Sequence, residues 1–310
     1  MILTQFLCEH SDMGYEEERM DHFVKGSVLI TGASSGIGRT TAVRLDAHHY
    51  RVFAGVRNTT DGESLKAECS PWLTPVVMDI TKSDEIARAV QYVQEHLEQK
   101  AGLNGLINNA GAGVGGPLEF LSVEDLRKQF EINVFGHIAV TQAFLPLLRQ
   151  CRGRVINVGS MAGRVALPFS GPYASSKAAL AALTDALRRE LSWWNIPVVL
   201  MEIGSVKTPI WDKAFQEAEK RAETMPAEAH NLYEKPLRAM NDYMKNLVRH
   251  ATVAEKVAAV IHRALESPKP RTRYFVGLDA YLGLFSRLLP DRALDWLLRK
   301  EQERRFVVLN

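Results

Sequence analysis

Cysteine is scarce in this 310-residue chain. There are three, Cys8, Cys69 and Cys151, far apart and in no metal-ligand spacing. An odd, sparse set builds no disulfide framework and fits a reducing compartment. The nine histidines are scattered, with no H-E-x-x-H pair or Cys/His cluster, so no metal is expected. An excess of one charge is also lacking. Lys and Arg number 38 against 36 Asp and Glu, and the formal net charge of +2 removes any bulk electrostatic case for a nucleic-acid partner. No run reaches the roughly 18–20 apolar residues that span a bilayer. The opening MILTQFLCEH is too short, and has no basic stretch before it, to read as a secretory signal. Residues 1–25, polar and acidic around Glu16 to Glu18, read as a poorly ordered extension. The location expected is cytoplasmic, with peripheral membrane association left open.

What remains is 46% apolar and 24% charged, ordinary for a water-soluble globular protein. There is no internal repeat and no low-complexity linker, and one large α/β domain over residues 26–310 is expected. Short β-branched runs alternate with longer helical patterns. Strands are expected at 27–32, 51–56, 74–80, 104–111 (with its loop), 153–160, 196–203 and, more weakly, 274–277. Helices are expected at 36–48, 83–99, 122–149 and 171–194. Ile86, Val90, Val93 and Leu97 mark one face of the second helix, and Ser122 followed by Glu124 and Asp125 suits the start of the third. This alternation predicts a doubly wound parallel sheet of about seven strands with helices on both faces, a Rossmann-type fold. Residues 208–250 read as an inserted helical cap.

Between the first strand and first helix stands Thr31-Gly32-Ala33-Ser34-Ser35-Gly36-Ile37-Gly38. Glycines there let the backbone turn tightly and approach a pyrophosphate, which then sits at a helix N-terminus. The spacing is G-x-x-x-G-x-G, and alone it would serve equally as a tight structural turn. The second strand ends Ala54-Gly55-Val56-Arg57-Asn58, with no acid to bind ribose hydroxyls. Arg57 could pair with a 2′-phosphate, which favours NADP and leaves NAD admissible; a solvated surface arginine is the plainer alternative. Arg39 is a second candidate.

Tyr173 and Lys177 are four apart near the start of a helix, hence on one face, one turn apart. A phenol ordinarily loses its proton near pH 10, too high for exchange at neutrality, and a nearby ammonium would bring it down. Y-x-x-x-K alone is a weak signal. Ser160, ending the fifth strand thirteen residues earlier, strengthens it, because ligands bind at that edge of a parallel sheet and a hydroxyl there can steady developing charge. Taken singly, Ser160 would read as a turn or cap serine.

The ordered set Thr31–Gly38, Asn108-Asn109-Ala110-Gly111, Asn133, Ser160, Tyr173 and Lys177 resembles the short-chain dehydrogenase/reductase family, from about residue 26 to 210 and more loosely beyond. The resemblance implies hydride transfer at a nicotinamide, with Tyr173 giving the proton and Ser160 positioning the carbonyl. It implies that Lys177 holds the nicotinamide ribose and that Asn133 holds a water linking Lys177 to solvent. The same asparagine could simply cap a backbone kink. Asp79, with Ile80, would contact the adenine, and Asn108 to Gly111 would steady the sheet beside the cofactor. Where the family carries Pro-Gly after the sixth strand, this chain has Ile203-Gly204, followed by Ser205-Val206-Lys207-Thr208. Proline would stiffen that turn, so isoleucine predicts a freer loop over the nicotinamide. Gly204, Val206 and Thr208 are still expected at the cofactor, Thr208 at the carboxamide. GRVALPFSGPYASSKAAL and TPIW resemble the retinol and hydroxysteroid dehydrogenase branch, which acts on large apolar alcohols and ketones.

A substrate pocket is expected from Val114, Met161, Leu167, Phe169 and Trp211, although ordinary core packing would explain each as well. Arg164 keeps a charged substrate open. Residues 280–300 place many leucines and aromatics beside Arg287, Arg292, Arg299 and Lys300, broken by Pro290. They read as two short helices packed over the substrate mouth or against another subunit, in preference to an interfacial membrane segment. Homo-oligomerisation is left open.

Two functions fit. The first is an NADP-dependent carbonyl reductase or alcohol dehydrogenase for a bulky apolar substrate, steroid-, retinoid- or lipid-like. The second is a non-catalytic NADP-binding redox sensor or scaffold, which would have no need of a matched acid and cation. An enzyme for acyl-carrier or sugar substrates would need polar or basic pocket residues that are not found.

Overall fold

The computed structural model describes residues 24–97, 101–286 and 288–307. All but the last residues of the 1–25 extension lie outside them. In chain order the elements are β1 (Gly26–Ile30), α1 (Gly36–Asp46), β2 (Tyr50–Val56), α2 (Thr59–Lys66), β3 (Leu73–Val77), α3 (Ser83–His96) and β4 (Gly105–Asn108). Next come α4 (Val123–Phe130), a π-helical turn (Glu131–Phe135), α5 (Gly136–Cys151), β5 (Arg154–Val158), a 3₁₀ turn (Met161–Gly163), α6 (Gly171–Leu191) and β6 (Val198–Ile203). The chain continues with β7 (Val206–Lys207), α7 (Ile210–Glu223), α8 (Ala227–Arg249), β8 (Thr252–Val253), α9 (Ala254–Glu266), β9 (Arg273–Val276), α10 (Leu278–Ser286) and α11 (Asp291–Val307).

Seven strands form one parallel sheet in the order β3-β2-β1-β4-β5-β6-β9. Successive side chains alternate faces. Val28 and Ile30 pack with Leu45 of α1 and Val257 and Ile261 of α9, while Leu29 packs on the other face with Phe144 and Leu148 of α5. The chain winds outward from β1 through β2 to β3, then returns to lay β4 on the opposite side of β1. That reversal opens a crevice at the C-terminal ends of β1 and β4, the place such sheets bind ligands.

The expected seven-stranded doubly wound sheet is the observed one. Several details differ. The 122–149 helix is two α-helices joined through a π turn. By length and composition, Val123–Cys151 is apolar enough to cross a membrane, contrary to the expectation that no such run exists; half of its apolar window is buried in this fold, which accounts for that character. The sequence reading leaves out α2, α9 and the two-stranded β7-β8 ribbon. α2 is only eight residues long, held at its start by the Asn58 side chain accepting from Asp61 N.

Candidate active site

The glycine loop ends β1. Gly32 and Gly36 stand at φ +68° and +55°, the left-handed region that side chains with a Cβ avoid. A Cβ on Gly32 would lie 2.8 Å from Ala110 Cα, and one on Gly38 would strike the Gly32 carbonyl and come within 2.5 Å of Asn109 Nδ2. Glycine there lets α1 start hard against the strand, as a bound pyrophosphate requires. Ser35 opens α1 without a side-chain cap, so the first-turn amides keep their donors turned outward. This cradle fits a nicotinamide dinucleotide. Thr208 completes one wall, its Cβ 3.1 Å from the point where a Cβ on Gly36 would stand.

At the far end of the crevice, Arg57 is exposed after β2. It is close enough to Asp79 to help hold that carboxyl below its usual range; burial opposes this, and the Thr81 amide and hydroxyl assist it. Ile80 is buried just beyond. Arg39 is spoken for, donating to Ser34 O, Ser64 and, at 2.9 Å, Glu68.

Asn109 grips the glycine loop, its Nδ2 donating to Thr31 O and Gly32 O at 3.0 and 3.1 Å, while Thr31 Oγ1 accepts from Asn109 N and Ala110 N. Beyond β4 the chain is held from the other side by a polar stripe spaced four apart, which the sequence reading saw only at Asn133. Gln129 accepts from Val114 N at 2.6 Å and donates to Ala112 O at 2.7 Å. Asn133 accepts from Ala112 N and donates to Ala112 O and Ser176 Oγ, each at 3.0 Å. His137 donates through Nε2 to Ala110 O at 2.6 Å, and Thr141 accepts from Asn108 Nδ2 at 2.8 Å. In a straight α-helix every fourth residue drifts around the axis. The π turn, with its wider i→i+5 ladder, keeps these four aligned. Burial and the nearby Lys177 push His137 down to about 3, so the ring is neutral and able to donate from Nε2.

Ser160 stands close enough to Tyr173 for its hydroxyl to bear on the phenol. Ser160 Oγ also accepts from Ala162 N at 3.2 Å, opening the 3₁₀ turn. Lys177, 4% exposed, donates from Nζ to Val158 O at 2.9 Å and lies 5.9 Å from the Tyr173 ring centre. A Cβ on Gly111 would stand 3.4 Å from Asn133 Oδ1 and 3.8 Å from Lys177 Nζ, so glycine opens the gap between them. The expected lowering of the phenol by Lys177 is not what the protein alone provides. Burial pushes Tyr173 up, opposed by the neighbouring Ser160 hydroxyl, and burial brings Lys177 down to about 8.

Around Ser160, Tyr173 and Lys177, Gly116 N donates to Phe169 O at 2.8 Å, which lays the Val114 loop over Phe169 and Tyr173. Phe169 sits at φ +64° and meets Tyr233 of α8 edge-on, ring centres 6.1 Å apart; Phe120 does the same at 5.9 Å. Trp211 donates from its indole to Val206 O at 2.9 Å. Leu167 is partly exposed, whereas Met161 is buried against α10. Arg164 is not free for a charged substrate. It is bound through two nitrogens by Glu202, a carboxylate 1% exposed that also takes Arg273. The loop after Ile203 is likewise less free than isoleucine alone predicts. Ile203 is a buried strand residue, and Ser205 N donates to Asp279 Oδ2 at 2.6 Å.

With this geometry in view, comparison with known proteins decides the lineage. The family model described as short chain dehydrogenase matches residues 26–219. The chain belongs to the short-chain dehydrogenase/reductase family. This short-chain dehydrogenase is 37% identical to human retinol dehydrogenase 5 over 285 residues, covering 88% of this chain and 89% of that protein. It is 35% identical to bovine 17-beta-hydroxysteroid dehydrogenase type 6, covering 92% and 91%. Its structure is similar to that of a short-chain dehydrogenase from Streptomyces avermitilis, with TM-score 0.71, 26% identity, and 90% and 97% of the chains covered. It is also similar to one from Burkholderia cenocepacia in complex with NADP, with TM-score 0.68, 25% identity, and 89% and 98% covered. It is therefore an oxidoreductase of the retinol and hydroxysteroid dehydrogenase branch, acting on alcohol or carbonyl groups with a nicotinamide cofactor.

Proposed function

We propose that this short-chain dehydrogenase prefers NADP and interconverts an alcohol with a ketone or aldehyde on a bulky apolar substrate, steroid-, retinoid- or lipid-like, with Tyr173 as general acid and base. The observation that carries the reading is the convergence at the sheet edge of Tyr173, with Ser160 beside it, and the buried Lys177 one helical turn on, its Nζ 5.9 Å from the phenol ring centre. When bound, the dinucleotide supplies or accepts the hydride. Ser160 donates to the substrate oxygen and fixes its position. Tyr173 gives its phenolic proton to that oxygen in reduction and takes it back in oxidation. A phenol pushed up by burial is in the donor form at neutral pH, which suits reduction. Lys177, buried and brought down to about 8, exchanges its proton readily and can recharge Tyr173; Asn133, with its second Oδ1 lone pair, is placed to hold a relaying water.

Arg57 supports NADP, as the exposed cation where β2 ends Ala54-Gly55-Val56-Arg57-Asn58 without an acid to take the ribose hydroxyls. Asp79, Ile80, Asn109 to Gly111, Gly204, Val206 and Thr208 would line the dinucleotide. Val114, Leu167, Phe169 and Trp211 are apolar, and with Arg164 spent on Glu202 nothing among them clamps a carboxylate. Peripheral lipid contact belongs to the same proposal. Leu278, Leu282, Phe285 and Leu288 are exposed along the C-terminal segment, and a chain that stays soluble with lipid vesicles would remove that part.

The test is NADPH and NADH consumption, side by side, over carbonyls graded from short to steroid- or retinoid-sized. NADPH turnover on the bulky members is expected, and Tyr173→Phe should abolish it while sparing dinucleotide binding. Turnover confined to NADH or to small polar members would sink the cofactor and substrate assignments. Silence across the panel would favour a redox sensor or scaffold.

A further inference from the structure

α10 begins directly after β9, and its second residue reaches across to the turn that follows β6. Asp279 Oδ2 accepts from Ser205 N at 2.6 Å, while Oδ1 accepts from Ala280 N at 3.1 Å. Gly204 N donates to Val276 O at 2.9 Å, and Thr252 N donates to Ser205 O at 3.0 Å, so the turn is gripped from three elements. The carboxylate lies flat against Gly204. The three atoms a Cβ there would meet first all belong to the Asp279 carboxyl group. Gly277 turns at φ +104° to deliver Asp279 to this position. The turn so held leads into Val206, whose carbonyl takes the Trp211 indole, and Thr208, which stands against Gly36 of the phosphate loop. One turn further along α10, a Cβ on Gly283 would sit 2.5 Å from Met161 Cε, so the same helix packs on the residue that follows Ser160.

We propose that Asp279 is the positioning residue of the cofactor loop: its carboxylate fixes the Gly204–Ser205 turn and through it sets Val206 and Thr208 against the dinucleotide. A proline would stiffen this turn through its own ring. Here an acid at the start of α10 does so by hydrogen bonding, which leaves Ile203 free to serve as a buried strand residue. A backbone amide held by a carboxylate at 2.6 Å is a charge-assisted bond, stronger than a neutral one and directional. The requirement for glycine at 204 follows from the same contact, since its φ lies outside the left-handed region and the three atoms nearest a Cβ there all belong to the carboxyl group.

This inference rests on the proposed placing of Gly204, Val206 and Thr208 at the cofactor, and the experiment separates the two. NADPH and NADH affinities are measured by calorimetric titration for the full chain and for Asp279→Ala, Asp279→Asn, Gly204→Ala and the double variant, with thermal unfolding as the check on folding. Asp279→Ala should weaken dinucleotide binding about tenfold, the loss expected for a hydrogen bond to a charged group. Asp279→Asn, which keeps one acceptor, should lose less. Gly204→Ala should weaken binding by pushing the carboxyl aside, and the double variant should be no weaker than Asp279→Ala, because removing the carboxyl group removes the obstacle. KM for the dinucleotide should rise while KM for the carbonyl substrate holds, a split that general loss of structure would not give. If Asp279→Ala does not fold, Asp279→Asn and Gly204→Ala carry the same comparison. Unchanged dinucleotide affinity in folded variants, or strictly additive losses in the double variant, would overturn the positioning role while leaving the proposed function standing. A wild-type chain that binds neither dinucleotide would overturn both.

Discussion

Lys177→Met exchanges a buried ammonium for an uncharged side chain of similar length. Burial holds Lys177 near 8 where a free lysine stands at 10.5. Keeping it charged at pH 7 therefore costs the fold about 3 kcal/mol, at 1.36 per pH unit. The residue is 4% exposed, so solvent screening does not reduce that figure. Methionine relieves the cost but abandons the bond to Val158 O, and an unpaired carbonyl costs about 1 kcal/mol. The net expectation is a variant more stable by about 2 kcal/mol, or roughly 4 °C in Tm for a chain of this size. Its turnover should be abolished. The pH dependence follows from the sign. The folded value lies below the unfolded one, so between about pH 8 and 10.5 the unfolded chain binds the extra proton. Wild-type stability therefore rises through that window, and the gap to the variant closes. Urea unfolding followed by circular dichroism at pH 7 and pH 10 would read this, without dinucleotide, since bound ligand would stabilise the wild type by mass action. A variant no more stable at pH 7, or a gap unchanged at pH 10, would refute the reasoning.

Burial holds Tyr173 in its protonated form, so initial rates of alcohol oxidation should climb with pH from 6 to beyond 9 while carbonyl reduction stays level through neutrality; an oxidation rate that peaks below pH 7 would contradict this. Arg57→Ala should weaken NADP binding about tenfold and leave NAD within twofold, as fluorescence titration would read, and equal losses for both would remove Arg57 from the 2′-phosphate. Glu202→Gln leaves Arg164 and Arg273 without their shared anion. Breaking a buried pair costs about 3–5 kcal/mol, and with both arginines partly solvated about 2 kcal/mol is expected in urea unfolding; a neutral result would show the cluster to be ornamental.

The sheet was legible because burial on both faces leaves its strands as near-continuous β-branched runs, each closed by glycine or asparagine. α9 was missed although Val257, Ile261 and Leu265 mark one face and its alanines favour helix; it begins directly from a two-residue strand, with no loop to set it apart from the cap before it. The π turn could not be foreseen from propensity, since Glu131 to Phe135 reads as ordinary helix. The candidate catalytic set was legible as an ordered spacing, and the fold brings its members near one another: Ser160 lies beside Tyr173, and Asn133 and Lys177 stand on either side of Gly111. What spacing could not give was direction of influence. Tyr173 and Lys177 share a helix face, yet each responds more to its own burial than to the other.

The residues that hold the site did leave a trace, of a kind that motif reading passes over. Gln129, Asn133, His137 and Thr141 recur every four residues on the buried side of a helix otherwise apolar enough to cross a membrane. Polar groups so placed must find partners, because each left unpaired would cost on the order of 1–3 kcal/mol. Those partners must be polar atoms that no regular element already uses. The stretch that meets this description is the irregular chain leaving β4, and the four side chains engage Asn108, Ala110, Ala112 and Val114, every second residue along it. A polar stripe inside an apolar helix thus predicts a loop pinned beside it, and a loop pinned residue by residue is the rigid support the proposed site would need.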